Sequence, residues 1–170
     1  MPRQTTPNKL STQIKKFLRK AHLTEKPIFL AYRELDSRYM TAYCLDNCRH
    51  AMRMNLGEVA YGWMIWECKK LLFIEAEFHS VLKVNGKFRD ITPRKDGEER
   101  ILFVPDPTRT PKLLKNQWMT FSNIQSQGGE IKAHTEIGPR GCNISLLEDS
   151  EQIETQRTQI ASLSAESPKS

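Results

Sequence analysis

Apolar residues recur at helical spacing twice in the first third of the chain and then alternate as strands do. In "STQIKKFLRKAHL" Ile14, Phe17, Leu18 and Ala21 fall three and four apart behind Ser11 or Thr12 as candidate N-cap, which predicts an amphipathic helix over 12–22. The run "IFLAY" after "TEKP" reads as a strand or extended entry segment. From about 41 to 55 the positions Ala42, Leu45, Cys48 and Met52 predict a second helix, stopped at Asn55-Leu56-Gly57, with Cys44 in its first turn.

Between Glu58 and Val104 the period becomes that of strands. "EVAYGWMIWE" is rich in β-branched and aromatic residues, Lys69-Lys70 mark a turn, and "LLFIEAEFHSVLKV" is long enough for a bent strand. Asn85-Gly86 is a strong hairpin signal, and "KFRDI" and "RILFVPD" supply two more short strands around a polar loop. Helices followed by about four consecutive antiparallel strands predict an α+β fold, with N-terminal helices packed on the sheet. After the proline-punctuated "PDPTRTPK", the expectation is a helix near 113–125, a turn at Gly128-Gly129, and irregular chain through Gly138 and Gly141.

Charge divides the chain. Residues 1–26 carry seven basic side chains against Glu25 alone, which equals the formal net charge of +6 for all 170 residues. A basic arm can engage an acidic partner or nucleic acid. A solvated helix face outweighs nucleic-acid binding, because Phe17 is the only aromatic there and no nucleic-acid signature is present. Residues 27–145 form the expected α+β domain, and the polar stretch 146–170, ending "SLSAESPKS", the expected frayed tail. No run approaches the ~18 apolar residues of a membrane span, and no apolar signal core opens the chain. A cytoplasmic location without membrane association follows, with Cys44, Cys48, Cys68 and Cys142 as reduced thiols. Export that needs no such signal stays open.

The hairpin "AEFHSVLKVNGKFRDITP" holds the candidate chemistry. A two-residue turn at Asn85-Gly86 sets Val84 opposite Lys87, Val81 opposite Asp90 and His79 opposite Thr92. His79 and Asp90 then project from one face as diagonal neighbours, roughly 7 Å apart at Cα, within reach of an imidazole–carboxylate hydrogen bond. Such a carboxylate selects one imidazole tautomer and frees the other ring nitrogen for a nucleophile. Cys44 fits that role, since helix N-termini and a nearby imidazolium lower a thiol pKa. Cys48, one turn deeper, reads as a small core residue. Cys68 and Cys142 have no suggestive partner. For an oxyanion, the Cys44 N–H and side-chain donors from Asn47 or Trp63 are candidates, although Asn47 also reads as helix surface and Trp63 as core. A metal site from Cys44, Cys48, His50 and His79 lacks the paired spacing of structural zinc motifs. No nucleotide or other cofactor fingerprint is present, and no serine elbow.

Cysteine on a helix, histidine on a strand and aspartate on the next strand, in that order, resembles the papain-like and transglutaminase-like cysteine enzymes. "GEVAYGW", "EFHSV" and "KFRDITP" are similar to the glycine-bearing, histidine and D-x-T-P strands of the transglutaminase-like core. The chain also resembles small uncharacterised bacterial and phage proteins that share C-x-x-N, G-W, E-F-H-x-V and D-x-T-P elements. The resemblance covers about residues 40–93. It implies Cys44 as nucleophile, His79 as general base and acid, and Asp90 as the orienting carboxylate, acting on a peptide-like amide in peptide cleavage, glutamine deamidation or transglutamination. The competing expectation is a non-catalytic binding module whose basic N-terminal helix engages an acidic partner.

Overall fold

The computed structural model describes residues 4–94 and 97–139. Helix α1 (Thr12–Lys20) starts where the Ser11 hydroxyl accepts from the Ile14 N–H at 3.2 Å, and it buries Ile14, Phe17 and Leu18. Strand β1 (Ile28–Ala31) separates it from helix α2 (Cys44–Arg53). Asn55 ends α2: its left-handed backbone (φ 58) lets the Leu56 N–H reach the Ala51 carbonyl at 3.0 Å. The stop lies where the sequence indicates, but the buried stripe differs. Ala42 takes φ 67 ahead of the helix, so the stripe runs Leu45, Cys48 and Ala51, with Asn47 beside it, and Met52 is exposed.

Strands β2 (Glu58–Cys68) and β3 (Phe73–Val84) pair antiparallel along their whole length, joined by the 3₁₀ turn Lys69–Leu71. Asn85 and Gly86, at φ 49 and 76, turn the chain into β4 (Lys87–Arg89) and set Val84 opposite Lys87, the register expected of such a turn. Strand β5 (Arg100–Pro105) does not continue the meander. It pairs with the far edge of β2 and carries β1 on its outer side.

The fold is α+β with antiparallel sheets, but the expected sheet of about four strands is larger. Among the described residues it holds seven strands in the order β1-β5-β2-β3-β8-β9, where β8 is Ile124–Gln127 and β9 is Glu130–Ala133, and β4 lies on β3 beyond β8. Nor are the helices grouped ahead of the strands, since β1 intervenes. The helix expected near 113–125 is absent. Lys115 and Asn116 both adopt positive φ (49 and 61) and make a hairpin of β6 (Lys112–Leu114) and β7 (Gln117–Phe121), which joins β10 (Ile137–Pro139) in a second sheet. Leu114, Trp118 and Phe121 imitate a helical repeat in a segment that turns too sharply to be helical.

Both faces of the central strands are covered, which explains the nearly continuous apolar run Trp63–Trp66. Trp63, Ile65, Ala76, Leu102, Val104 and Ile124 pack with α1, while Met64, Val81, Ile101 and Phe103 form the opposite core with Leu30 and Trp66. Cys48 and Ala51 of α2 close on Leu82 and Ile91. The basic N-terminal segment is built into this body, since Thr5 exchanges two backbone hydrogen bonds of 2.9 Å with Glu67 and α1 shares the main core. Residues 146–170 lie outside the described residues. Among those described, no helix is long and apolar enough to cross a membrane.

Gly62 sits opposite His79, and a Cβ there would lie 2.3 Å from the Val104 carbonyl oxygen and 2.6 Å from the Phe103 ring. Gly62→Ala is therefore expected to lower stability by about 3 kcal/mol through overpacking. Urea unfolding measures this, and an unchanged midpoint contradicts the packing argument.

Candidate active site

Strand β3 has a gap along one edge. Its residues Phe73–Ala76 pair with β8 and Leu82–Val84 pair with β4, and among the described residues no strand covers Glu77–Val81 between them. His79 lies in that gap, and the N-terminus of α2, which packs against β3, delivers Cys44 there. Asp90 follows the last ladder residue of β4, and its backbone leaves β3 to bridge Tyr32 and to accept the Arg33 N–H at 2.8 Å. The end of the β3–β4 ladder and the start of the β1 exit thus both fix the carboxylate.

The three sequence-derived residues come together. His79 Nε2 lies 3.0 Å from Asp90 Oδ1, with His79 5% and Asp90 0% exposed. The Cys44 side chain is hydrogen-bonded to the same imidazole, and with Nε2 engaged by Asp90 the nitrogen that remains for sulfur is Nδ1. Cys44 is partly buried, unlike Cys48 and Cys68, which are buried. Burial disfavours a charged His79, but the charges of Asp90 and Cys44 and hydrogen bonds to both outweigh it, and the His79 pKa is pushed up to about 10. The balance at this imidazole therefore favours its protonated form at neutral pH.

Cys48 shows the contrast. It is fully buried, and burial, followed by the charges of Cys44, Asp90 and Asp46, pushes its thiol well above the ordinary range. One turn of helix separates a thiol beside an imidazolium from a thiol held neutral in the core.

The side chains considered for an oxyanion are engaged elsewhere. Asn47 Nδ2 donates to the Met40 carbonyl at 2.9 Å and to Thr92 Oγ1 at 3.3 Å, and its Oδ1 accepts the Met40 N–H. Asn47 is buried and not helix surface; it ties the loop before α2 to the chain after Asp90, so it positions the helix start. Trp63 is fully buried and donates Nε1–H to Asp106 Oδ2 at 2.8 Å. The Tyr43 side chain makes no cap to the first turn of α2, the turn that carries Cys44. His50 lies 2.9 Å from the Tyr39 hydroxyl through Nδ1. Cys68 is buried at the far end of β2, and Cys142 lies outside the described residues.

Two contributors were not identified from the sequence. Thr92 donates its backbone N–H to Asp90 Oδ1 at 3.3 Å, a local turn that the D-x-T spacing signals. Arg94 sets Nη1 3.7 Å from Asp90 Oδ2, its guanidinium over the Trp66 ring at 5.2 Å. A basic residue four positions after an aspartate in a loop carries no signal until the loop folds back. Beside the site Tyr61 stacks on Phe78, Phe78 meets Phe121 at 5.0 Å, and Arg49 of α2 lies 4.5 Å over Trp118. These rings join the second sheet to the wall next to α2.

Comparison with protein-family models, curated proteins and solved structures finds no match for this chain.

The sign of the pH dependence follows from the raised pKa. The folded value of about 10 lies above the ordinary 6.5, so the stability that His79 protonation contributes is complete below pH 6.5 and is lost as pH rises toward 10. NMR of the imidazole should find His79 protonated at pH 8 in the native protein, with the titration moved downward by at least about one unit in Asp90→Asn. A neutral ring at pH 8 contradicts the assigned charge state.

Proposed function

We propose that the protein is a cysteine hydrolase or acyltransferase that acts on a peptide-like amide through Cys44, His79 and Asp90. One observation carries the reading: a single buried imidazole is paired through Nε2 with a carboxylate and is also hydrogen-bonded by the side chain of a partly buried cysteine. The Cys44 thiolate adds to the amide carbonyl carbon. As the C–N bond breaks, the Nδ1 proton of His79 passes to the leaving amine and a thioester forms. Water or an acceptor amine then attacks the thioester while His79 takes its proton, the C–S bond breaks, and the thiolate is restored. Asp90 holds the ring so that one nitrogen stays directed at sulfur. The backbone N–H groups at the start of α2 are the donors best located for the carbonyl oxygen of the tetrahedral intermediate.

The order of the three residues along the chain and their elements supports the likeness to the transglutaminase-like core. Peptide cleavage, glutamine deamidation and amine transfer share every step up to the thioester and differ in what attacks it. The alternative, a binding module whose basic helix meets an acidic partner, draws on exposed Lys15, Lys16 and Arg19 of α1.

Iodoacetamide tests the reading. Cys44 should alkylate rapidly at pH 6, and His79→Ala should slow this by at least about tenfold, with Cys44 identified by peptide mass spectrometry. A library of electrophilic amides then ranks acyl donors by labelling of Cys44. Slow alkylation at pH 6 that does not respond to His79→Ala rejects the catalytic reading.

A further inference from the structure

A second concave site lies at the Cys68–Phe73 end of the β2–β3 ladder, away from His79 near its middle. The distance along β2 from Gly62, opposite His79, to Cys68 is about 20 Å. There α1, the turn between β2 and β3, and the β8–β9 hairpin enclose a cavity of about 530 Å³, within the range of small-molecule sites. Phe17, Phe73, Ile74 and Ile131 supply its carbon walls.

Three features separate this cavity from an incidental packing gap. Its walls are fastened to one another: Lys20 Nζ donates to the Gly129 carbonyl at 2.7 Å and to Glu130 Oε1 at 2.9 Å, and the Gly128 N–H donates to the Leu72 carbonyl at 3.0 Å. Leu72, on the lining, is held in a left-handed conformation (φ 51) with its side chain 67% exposed, a conformation and an environment that leucine rarely takes. Finally, Ser126 lines the cavity at 3% exposure, and the bond from its hydroxyl to the Ile74 carbonyl is 3.5 Å long, at the limit of a hydrogen bond. That hydroxyl is held by this one long hydrogen bond.

Charge selects among ligands. Lys9, Lys16, Lys20 and Lys69 surround the cavity against Glu67 in the lining. Glu130 engages Lys20, and Glu67 lies 3.7 Å from Lys69. Among the described residues no ion pair within 4 Å engages the exposed Lys9 and Lys16 of the lining, and Lys16 acts on Glu130 only through the longer-range attraction that helps lower that carboxyl's pKa. The lysines exceed the acidic groups around the cavity, so a cationic ligand meets net repulsion there.

We propose that this cavity binds a small amphipathic anion, an apolar chain or ring system with one carboxylate or phosphate head. The apolar body lies along Phe17, Phe73, Ile74 and Ile131, the head meets Lys9 and Lys16, and the Ser126 hydroxyl serves a polar atom of the ligand. The assignment does not depend on the Cys44 chemistry, and its test reads binding alone.

Decanoate below its micellar concentration is the probe, titrated into the full chain labelled with ¹³C at isoleucine and leucine methyl groups. Saturable shifts at Ile74, Ile131 and Leu72 are expected, with Leu82 beneath α2 unmoved. Decyltrimethylammonium, with the same chain and the opposite charge, should bind at least about tenfold more weakly, as should decanoate to the Lys9→Gln/Lys16→Gln double variant, whose exposed substitutions leave the core untouched. Lys87→Gln at the distant hairpin controls for overall charge and should leave decanoate affinity unchanged. Equal affinity for the two probes, an unchanged affinity in the double variant, or shifts centred elsewhere overturns the proposal.

Discussion

A histidine and an aspartate that are almost wholly inside the protein must satisfy each other, because burial leaves neither polar group to water, and this constraint organises the site. Removing one member of such a pair leaves an uncompensated buried charge, at a cost of about 3–5 kcal/mol. The surroundings serve the pair: Thr92 N–H on Asp90 Oδ1, Arg94 near Oδ2, and the Asp90 carbonyl anchored to Arg33. The backbone around Asp90 is therefore determined by the need to hold one carboxylate at one ring nitrogen. The Cys44 side chain completes the cluster by hydrogen-bonding to the same ring.

The helix that carries Cys44 is positioned by polar contacts as much as by its apolar stripe. Cys48 and Ala51 seat it on Leu82 and Ile91, and Asn47 stitches its entry loop to Thr92, two residues after Asp90. The helix start and the carboxylate thus share a brace, which couples the sulfur's place to the acid's. Gly62 plays the corresponding part in the sheet. By carrying no side chain opposite His79 it lets Phe103 and the Val104 carbonyl close on β2, so the strand behind the imidazole is tightly held.

The long β2–β3 ladder carries two separate sites. At one, the uncovered edge of β3 meets α2, and an aromatic wall of Tyr61, Phe78 and Phe121 adjoins it. At the other, α1 and the β8–β9 hairpin enclose a lysine-rimmed apolar cavity.

Local patterns were enough to read α1, the β2–β3–β4 hairpins and the joint placement of His79 and Asp90. Each is set by short-range rules: a serine cap before a 3–4 repeat, and an Asn-Gly turn whose two positive φ angles fix every residue on both arms. Cys44 could be placed because an apolar repeat that ends at Asn55 also implies where its helix begins. Longer connections were not legible. The crossing of β5 to the far side of β2 depends on which edge offers a fitting apolar partner, and the Lys115-Asn116 hairpin uses residues whose left-handed turn no glycine announces. The engagement of Asn47 and Trp63 with Thr92 and Asp106, and the return of Arg94 to Asp90, join residues separated by a folded loop or by more than forty positions, or lie in a loop with no periodicity. A sequence specifies what neighbours in the chain must do with their own backbone and side chains. Only packing decides which distant donor meets which acceptor, because that choice is settled by the burial of all of them at once.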